Sequence, residues 1–248
     1  MKDDDFFYIR YRNNLRKCLD YIINNPKLSR IIDPKVISQL KFNNSQLAVK
    51  AALKEFNISI GPFEINANEL MNCKHFPEAH LSIGGEIQFN SNGDFFQAIS
   101  LCVISKPNCD VTAENGFSLC KMDNGKSYIV RRFHFDIDAK QINGDRPVFH
   151  LQYGGNIHDK QKSSHQYELI SSIDLPRIPT MPLDLIQALN LIFSQIKTQI
   201  MSVFKDPRWR SIVIENDKIW DDIYFSAILK RDEKQTLYER LCSHNVFS

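Results

Sequence analysis

Two histidines and an aspartate in the middle of the chain are of types that support acid–base or metal chemistry. His134 and Asp136 are two residues apart in a stretch that alternates polar and apolar side chains, and His150 lies in a second such stretch. Residues two apart on a strand leave it on the same face, so the three side chains converge if the two strands pair. Two imidazoles and a carboxylate can bind one divalent metal ion, which lowers the pKa of its bound water and produces a nucleophile. The pattern thus predicts, as one hypothesis, a metal-dependent hydrolase or nuclease, to which His80 and Glu86 could add a ligand and a base.

Two other interpretations of these residues stay open. A sheet with one apolar and one polar face carries polar side chains toward solvent without any further function. The same side chains can also form a buried network of hydrogen bonds. Because the spacing matches no specific ligand motif, the sequence alone leaves open whether the protein is an enzyme.

Positive charge is concentrated in the N-terminal part of the chain. Residues 6–54 contain ten basic and two acidic residues, a net charge of +8, and because the whole chain carries +2, the remainder carries −6. The basic residues are Arg10, Arg12, Arg16, Lys17, Lys27, Arg30, Lys35, Lys41, Lys50 and Lys54. Cations grouped in this way neutralise backbone phosphates of nucleic acid or attract a protein with an acidic patch. The alternative is a solvated helix face that keeps the protein soluble.

This charge distribution supplies the leading hypothesis. It predicts a nucleic-acid or partner-binding surface made of Arg10, Arg12, Arg16, Lys17 and Arg30, of which the first four lie outside the apolar stripe of the first helix. The protein would then act as an accessory or interaction component of a multi-protein system. Its partners would be a protein in a complex and DNA or RNA, with no membrane. This hypothesis requires no cofactor, whereas the hydrolase alternative requires one divalent metal ion.

A second basic stretch, at residues 205–210, places arginines on both sides of Trp209. An exposed tryptophan flanked by arginines can stack on nucleic-acid bases or anchor an interface. The alternative is that Trp209 closes the end of the hydrophobic core.

The elements that position these residues follow from hydropathy patterns. Residues 1–56 read as a basic helical segment, with one helix ending at residues 24–26, a second beginning at Asp33-Pro34 and a further start at Ser45. Residues 57–175 alternate with a period of two, which predicts an antiparallel sheet. The predicted strands lie at 80–89, 97–104, 128–137, 148–153 and 167–173.

Residues 176–248 read as a helical segment that packs on the sheet. The proline-rich stretch 175–182 is predicted as a linker, and a long apolar helix follows it, with further helices around 219–229 and 233–242. We expect Leu189, Phe193 and Ile196 to be buried against the apolar sheet face that carries Phe133 and Phe135. Helices on both sides of a sheet segment predict an α+β fold, here in one compact domain.

Composition narrows the class of protein. No apolar run approaches the roughly 20 residues that cross a bilayer, and the N-terminus lacks the basic and apolar regions of a secretory signal. The six cysteines are scattered and form no CxxC pair, which is typical of reduced thiols. We therefore expect a cytoplasmic protein.

Three short stretches resemble a group of bacterial proteins. They are residues 132–136 (Arg-Phe-His-Phe-Asp), residues 146–155 (Arg-Pro-Val-Phe-His-Leu-Gln-Tyr-Gly-Gly) and residues 175–179 (Leu-Pro-Arg-Ile-Pro). These stretches are similar to uncharacterised bacterial proteins of mobile-element, antiphage-defence and toxin–antitoxin loci. The resemblance implies a biological setting and carries over no catalytic residue.

Overall fold

The structure, a computed structural model, describes residues 3–49, 55–66, 80–91, 94–105, 127–138, 148–153, 168–169, 177–195 and 200–229. Within these ranges the chain forms three helices, then the strands of one sheet, and then three further helices. This order confirms the predicted α+β fold, in which helices come before and after a mainly antiparallel sheet along the chain.

The N-terminal helices follow the local signals in the sequence. Helix α1 spans Asp3–Asn24, α2 spans Leu28–Ile31 and α3 spans Pro34–Val49. Asp33 caps α3, because its Oδ1 atom accepts a hydrogen bond of 2.7 Å from the backbone N–H of Lys35. The predicted helix start at Ser45 is wrong. This residue lies inside α3, where its hydroxyl donates to the backbone carbonyls of Lys41 and Phe42. A serine hydroxyl bonded to the preceding turn in this way does not cap a new helix.

Within the described ranges the sheet has six antiparallel strands and one short parallel strand. The strands are β1 (Phe56–Asn66), β2 (His80–Phe89), β3 (Phe95–Ser105), β4 (Tyr128–Asp138), β5 (Phe149–Tyr153), β6 (Glu168–Leu169) and β7 (Arg177–Pro179). Their spatial order is β1-β2-β3-β4-β5-β7, and β6 pairs in parallel with the start of β4. The stretch predicted as a linker therefore contains β7, which pairs with β5 and extends the sheet.

Helices α4 (Leu185–Gln195), α5 (Met201–Phe204) and α6 (Pro207–Leu229) complete the helical layer. Leu189 and Phe193 are buried in one hydrophobic cluster with Phe135, as predicted, whereas Ile196 lies outside the described residues. Trp209, in the first turn of α6, is fully buried and donates its indole N–H to Asn190 Oδ1 at 3.0 Å. Trp209 therefore closes the core. The helix predicted at 219–229 is the second half of α6, and the one at 233–242 lies outside the described residues.

Aromatic rings join the two long helices to the sheet. Phe95 of β3 contacts Tyr11 of α1 and Trp220 of α6, with ring centroids 4.9 and 5.7 Å apart and the ring planes nearly perpendicular. Phe7 of α1 also contacts Trp220, at 5.3 Å. Edge-to-face pairs of this kind are favourable beyond the area that they bury. Helices α1 and α6 are thus packed against each other and against the apolar face of the sheet.

The start of α4 is buried, and two side chains satisfy its backbone N–H groups. Gln97 of β3 accepts a hydrogen bond of 2.9 Å from the N–H of Leu185 and donates to the carbonyls of Phe135 and Leu183. Asp184 accepts one of 2.9 Å from the N–H of Gln187. Because a helix leaves its first N–H groups without intrahelical partners, these two side chains fix where α4 begins and tie it to the sheet.

The Asp184 carboxylate also holds α6 in place. It accepts hydrogen bonds from Asn216 Nδ2 at 2.9 Å and from Trp220 Nε1 at 3.1 Å, and it has no exposed surface. Burial raises the pKa of Asp184 from 3.8 to about 6, although its donors favour the charged form and limit the rise. At neutral pH the carboxylate is therefore ionised and surrounded by donors.

We predict that Phe193→Ala lowers the free energy of unfolding by about 3–5 kcal/mol, because it leaves a cavity in the core. Leu191→Ala on the same helix is the matched control, since Leu191 is 43% exposed. This control is expected to change stability by less than about 1 kcal/mol. Urea unfolding measures both variants. An equal effect of the two substitutions would contradict the position of α4 in the core.

We predict a second stability effect that depends on pH. Because the folded pKa of Asp184 is raised, the folded state binds the proton more tightly than the unfolded state between about pH 4 and pH 6. The contribution of Asp184 to stability is therefore greatest below pH 4 and falls as the pH rises to 6, by about 3 kcal/mol in total. Urea unfolding from pH 4 to 7 should show this loss in the wild-type protein relative to Asp184→Asn. Parallel pH profiles of the two proteins would contradict it.

Candidate functional site

The three residues predicted to form a metal site do lie on one face of the sheet. In the antiparallel pair of β4 and β5, Asp136 is directly opposite His150. His134 is two residues before Asp136 on β4 and is opposite Ser100 of β3. The predicted convergence of His134, Asp136 and His150 is therefore confirmed, because the register of β4 and β5 places all three on the same side.

Asp136 lies between the two imidazoles. Its Oδ1 atom is 3.9 Å from His134 Nδ1, and its Oδ2 atom is 3.6 Å from His150 Nε2. Ser100 Oγ is 3.3 Å from the same His134 Nδ1 atom, and Arg132 donates a hydrogen bond of 3.1 Å to Ser100 Oγ. These contacts form one chain of polar groups across β3, β4 and β5, which we call the sheet network.

The sheet network is buried, so its interpretation as a solvated face is wrong. Arg132 is 2% exposed, His134 8% and His150 5%, and Gln152 beside them is also buried. Burial lowers the pKa of the Arg132 guanidinium, and the charge of Asp136 opposes this effect. Burial also raises the pKa of the neighbouring Cys102 thiol to about 11, so this free cysteine is neutral at pH 7.

The contacts of the sheet network do not support the predicted metal site. Within the described ranges, no group of three or more His, Cys, Asp and Glu side chains is arranged to hold a metal ion. Of the two extra candidates, His80 contacts Glu64 at 3.7 Å, and Glu86 accepts a hydrogen bond from Gln88. Neither contact is with the sheet network.

The sheet network also differs from the Ser-His-Asp arrangement of serine hydrolases. In that arrangement the serine and the aspartate contact different nitrogens of the histidine, which lets the ring pass a proton between them. Here Ser100 and Asp136 both approach Nδ1 of His134. The buried polar network, one of the three interpretations of these residues, describes the observed contacts best.

The five residues predicted to form a basic surface have different environments. Arg10 forms an ion pair of 2.9 Å with Asp222 of α6. Arg12 is 8% exposed, and its guanidinium lies over the Tyr8 ring at 5.4 Å. The expectation that Arg12 lies on an open surface is therefore wrong. The reason is that α1 packs against α3 as well as α6, so that more than one side of the helix is buried.

The remaining members of the predicted surface are more accessible. Lys17 and Arg30 are exposed, and Arg16 is partly buried. The other exposed basic residues of the N-terminal helices are Lys27, Lys35 and Lys41, whereas Lys50 and Lys54 lie outside the described residues.

The tertiary structure joins the basic N-terminal helices to the second basic stretch of the sequence. Tyr21 of α1 donates a hydrogen bond of 3.1 Å to Asp206 Oδ2, and the Arg208 guanidinium lies 5.8 Å from the centre of the Tyr21 ring. Lys27 donates a hydrogen bond of 2.7 Å to the hydroxyl of Ser202. The end of α1 and the start of α6 are thus neighbours, although more than 180 residues separate them in sequence.

Five exposed cations are gathered at this end of the helical layer, and we call them the basic cluster. They are Lys17, Lys27, Arg30, Lys205 and Arg208. Arg30 belongs to it because residues three apart on a helical turn lie side by side, which places Arg30 next to Lys27. Lys17 and Arg30 belong to the predicted surface, but the sequence does not predict that Lys205 and Arg208 join them, since no local pattern relates the two segments.

The opposite end of the same helix pair carries more carboxylates. Helices α1 and α6 run antiparallel, because Arg10 contacts Asp222 at one end and Tyr21 contacts Asp206 at the other. Beyond its first two turns, α6 carries Glu215, Asp217, Asp221 and Asp222 at exposed or partly exposed positions, together with one exposed cation, Lys218. Along α6, positive charge is therefore concentrated at the start and negative charge farther on.

A groove lies between α1 and α6 beside the basic cluster. Its volume is about 340 Å³, and its lining includes Lys17, Asp20, Tyr21, Asn24, Arg208 and Ser211. The groove combines two cations, one carboxylate, an aromatic ring and short polar side chains. The sequence contains no spacing that would have indicated it, because its walls come from opposite ends of the chain.

Comparison with known proteins adds no assignment, since no family model, no curated protein and no solved structure matches this chain. In the part of the chain that the structure describes, no helix has both the length and the apolar character needed to cross a membrane.

We predict that Asp136→Asn destabilises the protein by about 1–3 kcal/mol, because it removes the anion that buried Arg132 and the two imidazoles face. Asp221→Asn on the exposed side of α6 makes the same chemical change at the surface and should cost less than about 0.5 kcal/mol. Urea unfolding of both variants checks this prediction. If Asp136→Asn were as stable as the wild-type protein, the carboxylate would not be part of a structural network.

Proposed function

We propose that this protein is a nucleic-acid-binding component of a multi-protein system and that its basic cluster contacts the phosphate backbone. The observation that carries the proposal is the contact of Tyr21 with Asp206 and Arg208, because it unites two basic segments into one exposed surface. The proposal keeps Lys17 and Arg30 from the predicted surface. It leaves out Arg10, which forms an exposed ion pair with Asp222, and Arg12 and Arg16, which are buried and partly buried. It adds Lys27, Lys205 and Arg208.

The chemistry of the basic cluster favours contacts with phosphate. All of its members are exposed, so each can approach an anion from solvent. Lysine and arginine contacts to phosphates supply affinity that is independent of sequence and that falls steeply as salt rises. The carboxylates farther along α6 repel the same polyanion, which favours one binding end of the molecule over the other.

A protein with an acidic patch is the other partner that this surface would attract. It would also bind less tightly at high salt, so salt dependence alone does not distinguish it from nucleic acid. A guanidinium pairs with a carboxylate as it does with a phosphate, so the charges of the basic cluster alone do not separate the two partners. We favour nucleic acid because Arg208, which lies beside Tyr21, also presents a planar group on which a base can stack. Binding to an acidic protein alone is an outcome of the test.

The resemblance of three sequence stretches to proteins of mobile-element, antiphage-defence and toxin–antitoxin loci supports a bacterial, cytoplasmic setting for this proposal. Proteins that bind nucleic acid without reading its sequence commonly depend on a partner for specificity. We therefore include a protein partner in the proposal and infer an accessory role for this chain.

The alternative function, a metal-dependent hydrolase on the polar sheet face, receives less support. Its three candidate residues converge, but Asp136 contacts both imidazoles directly and the described residues contain no three-residue metal site. Metal analysis of the purified protein tests this alternative. One bound zinc or manganese ion per chain, lost in His134→Ala and in His150→Ala, would support it.

We predict that the double variant Lys27→Ala, Lys205→Ala weakens nucleic-acid binding and reduces its dependence on salt. The slope of log affinity against log salt should decrease by about 1 for each phosphate contact removed. Fluorescence anisotropy of a labelled oligonucleotide between about 50 and 200 mM salt measures both quantities.

The matched control is the double variant Lys41→Ala, Lys218→Ala, which removes two exposed cations outside the basic cluster. Its affinity and slope are expected to remain close to those of the wild-type protein. Equal losses in the two double variants would show that net charge alone drives binding. Binding to an acidic protein but to no nucleic acid would overturn the proposal.

A further inference from the structure

The groove between α1 and α6 has the size and lining of a site for one small polar group. Its volume of about 340 Å³ is at the lower end of the range for small-molecule sites, about 300–1,000 Å³. Such a groove can enclose a single nucleotide but not a double helix. In a duplex the flat faces of the bases are covered by their neighbours, and only an unpaired base offers a face to a protein.

Arg208 supplies a flat surface on one wall of the groove. Its guanidinium carbon lies 5.8 Å from the centre of the Tyr21 ring, and its side chain is 77% exposed, whereas Tyr21 is 7% exposed. Most of the guanidinium is therefore open to a planar partner. Nucleic-acid bases stack on arginine in this way, and stacking tolerates every base.

Asp206 contacts both Tyr21 and Arg208, and its negative charge partly offsets the positive charge of Arg208. Its carboxylate accepts the hydroxyl of Tyr21 at 3.1 Å and lies 3.5 Å from the Arg208 guanidinium. Because the backbone N–H of Arg208 also donates to it at 2.8 Å, the pKa of Asp206 lies below its usual value. An arginine already paired with a carboxylate is a weaker phosphate ligand, which favours stacking as the role of Arg208.

The opposite wall offers a cation and fixed polar groups. Lys17 is exposed and carries a charge that suits a phosphate. Asn24 donates two hydrogen bonds to Asp20, to its carboxylate at 2.9 Å and to its backbone carbonyl at 3.0 Å, which holds the amide in one orientation. The carboxylate of Asp20 and the amide oxygen of Asn24 can accept hydrogen bonds from the amino groups of a base.

From this geometry we infer that the groove binds one unpaired nucleotide, with its base stacked on Arg208 and its phosphate at Lys17. The protein then binds single-stranded nucleic acid more tightly than a duplex of the same sequence. This inference rests on the proposed function, since the basic cluster brings the backbone to the groove.

The test compares the affinity of Arg208→Lys and the wild-type protein for a labelled single strand and for the matching duplex, with both DNA and RNA strands. The substitution keeps the positive charge and removes the planar group. We expect the ratio of single-strand to duplex affinity to fall by at least about 5-fold, the smallest change that loss of one stacked base produces. The Lys27→Ala variant is the control, because it should weaken both complexes by similar factors and leave the ratio unchanged.

The outcomes separate the two proposals. If neither nucleic acid binds, or if Lys27→Ala has no effect on binding, the proposed function fails. If both bind with the expected salt dependence but the wild-type protein shows no preference for the single strand, only the groove inference fails. An unchanged ratio in Arg208→Lys, with the preference intact, would also overturn the role of Arg208. Urea unfolding of each variant confirms that a lost preference is not a lost fold.

Discussion

The buried start of helix α4 is the constraint on which the arrangement of the helical layer depends. Backbone N–H groups removed from water need acceptors, and here the acceptors are Gln97 of the sheet and the carboxylate of Asp184. The carboxylate in turn needs more donors than α4 can supply, and Asn216 and Trp220 of α6 provide them. One unmet backbone requirement thus connects β3, α4 and α6, and any shift of α6 would leave a buried charge without its donors.

The same packing decides where positive charge is displayed. Helix α1 lies between α6 and α3, and Asn14 donates a hydrogen bond of 3.0 Å to the carbonyl of Ile212, which fixes the position of α1 along α6. With this alignment the end of α1 meets the start of α6, so that Lys17 and Arg208 line one groove. The surface proposed to bind nucleic acid is therefore a consequence of core packing, and its geometry is as rigid as the helices that carry it.

The two faces of the sheet carry different kinds of burial. The apolar face buries hydrocarbon and aromatic side chains, and the free energy gained by this burial does not depend on the orientation of the groups. The sheet network on the other face buries Arg132, Asp136 and two histidines, whose desolvation is compensated only if each charge meets a partner. The network joins β3, β4 and β5 in the register that the backbone pairing shows. This makes a structural role for these residues the simplest account of their convergence.

The sequence by itself determined those features that depend on near neighbours along the chain. The Asp33-Pro34 cap, the end of α1 before Asn25-Pro26 and the alternation along β2 to β5 all arise from local backbone geometry, and so does the shared face of His134 and Asp136. The tertiary structure decided which elements contact one another, and the register of β4 and β5 brings His150 to the same face. Arg12 is buried, Arg10 is paired and the two histidines are buried because burial depends on elements distant in sequence, and no periodicity encodes a contact with a distant element. For the same reason, only the fold unites Lys17 with Arg208 in one surface.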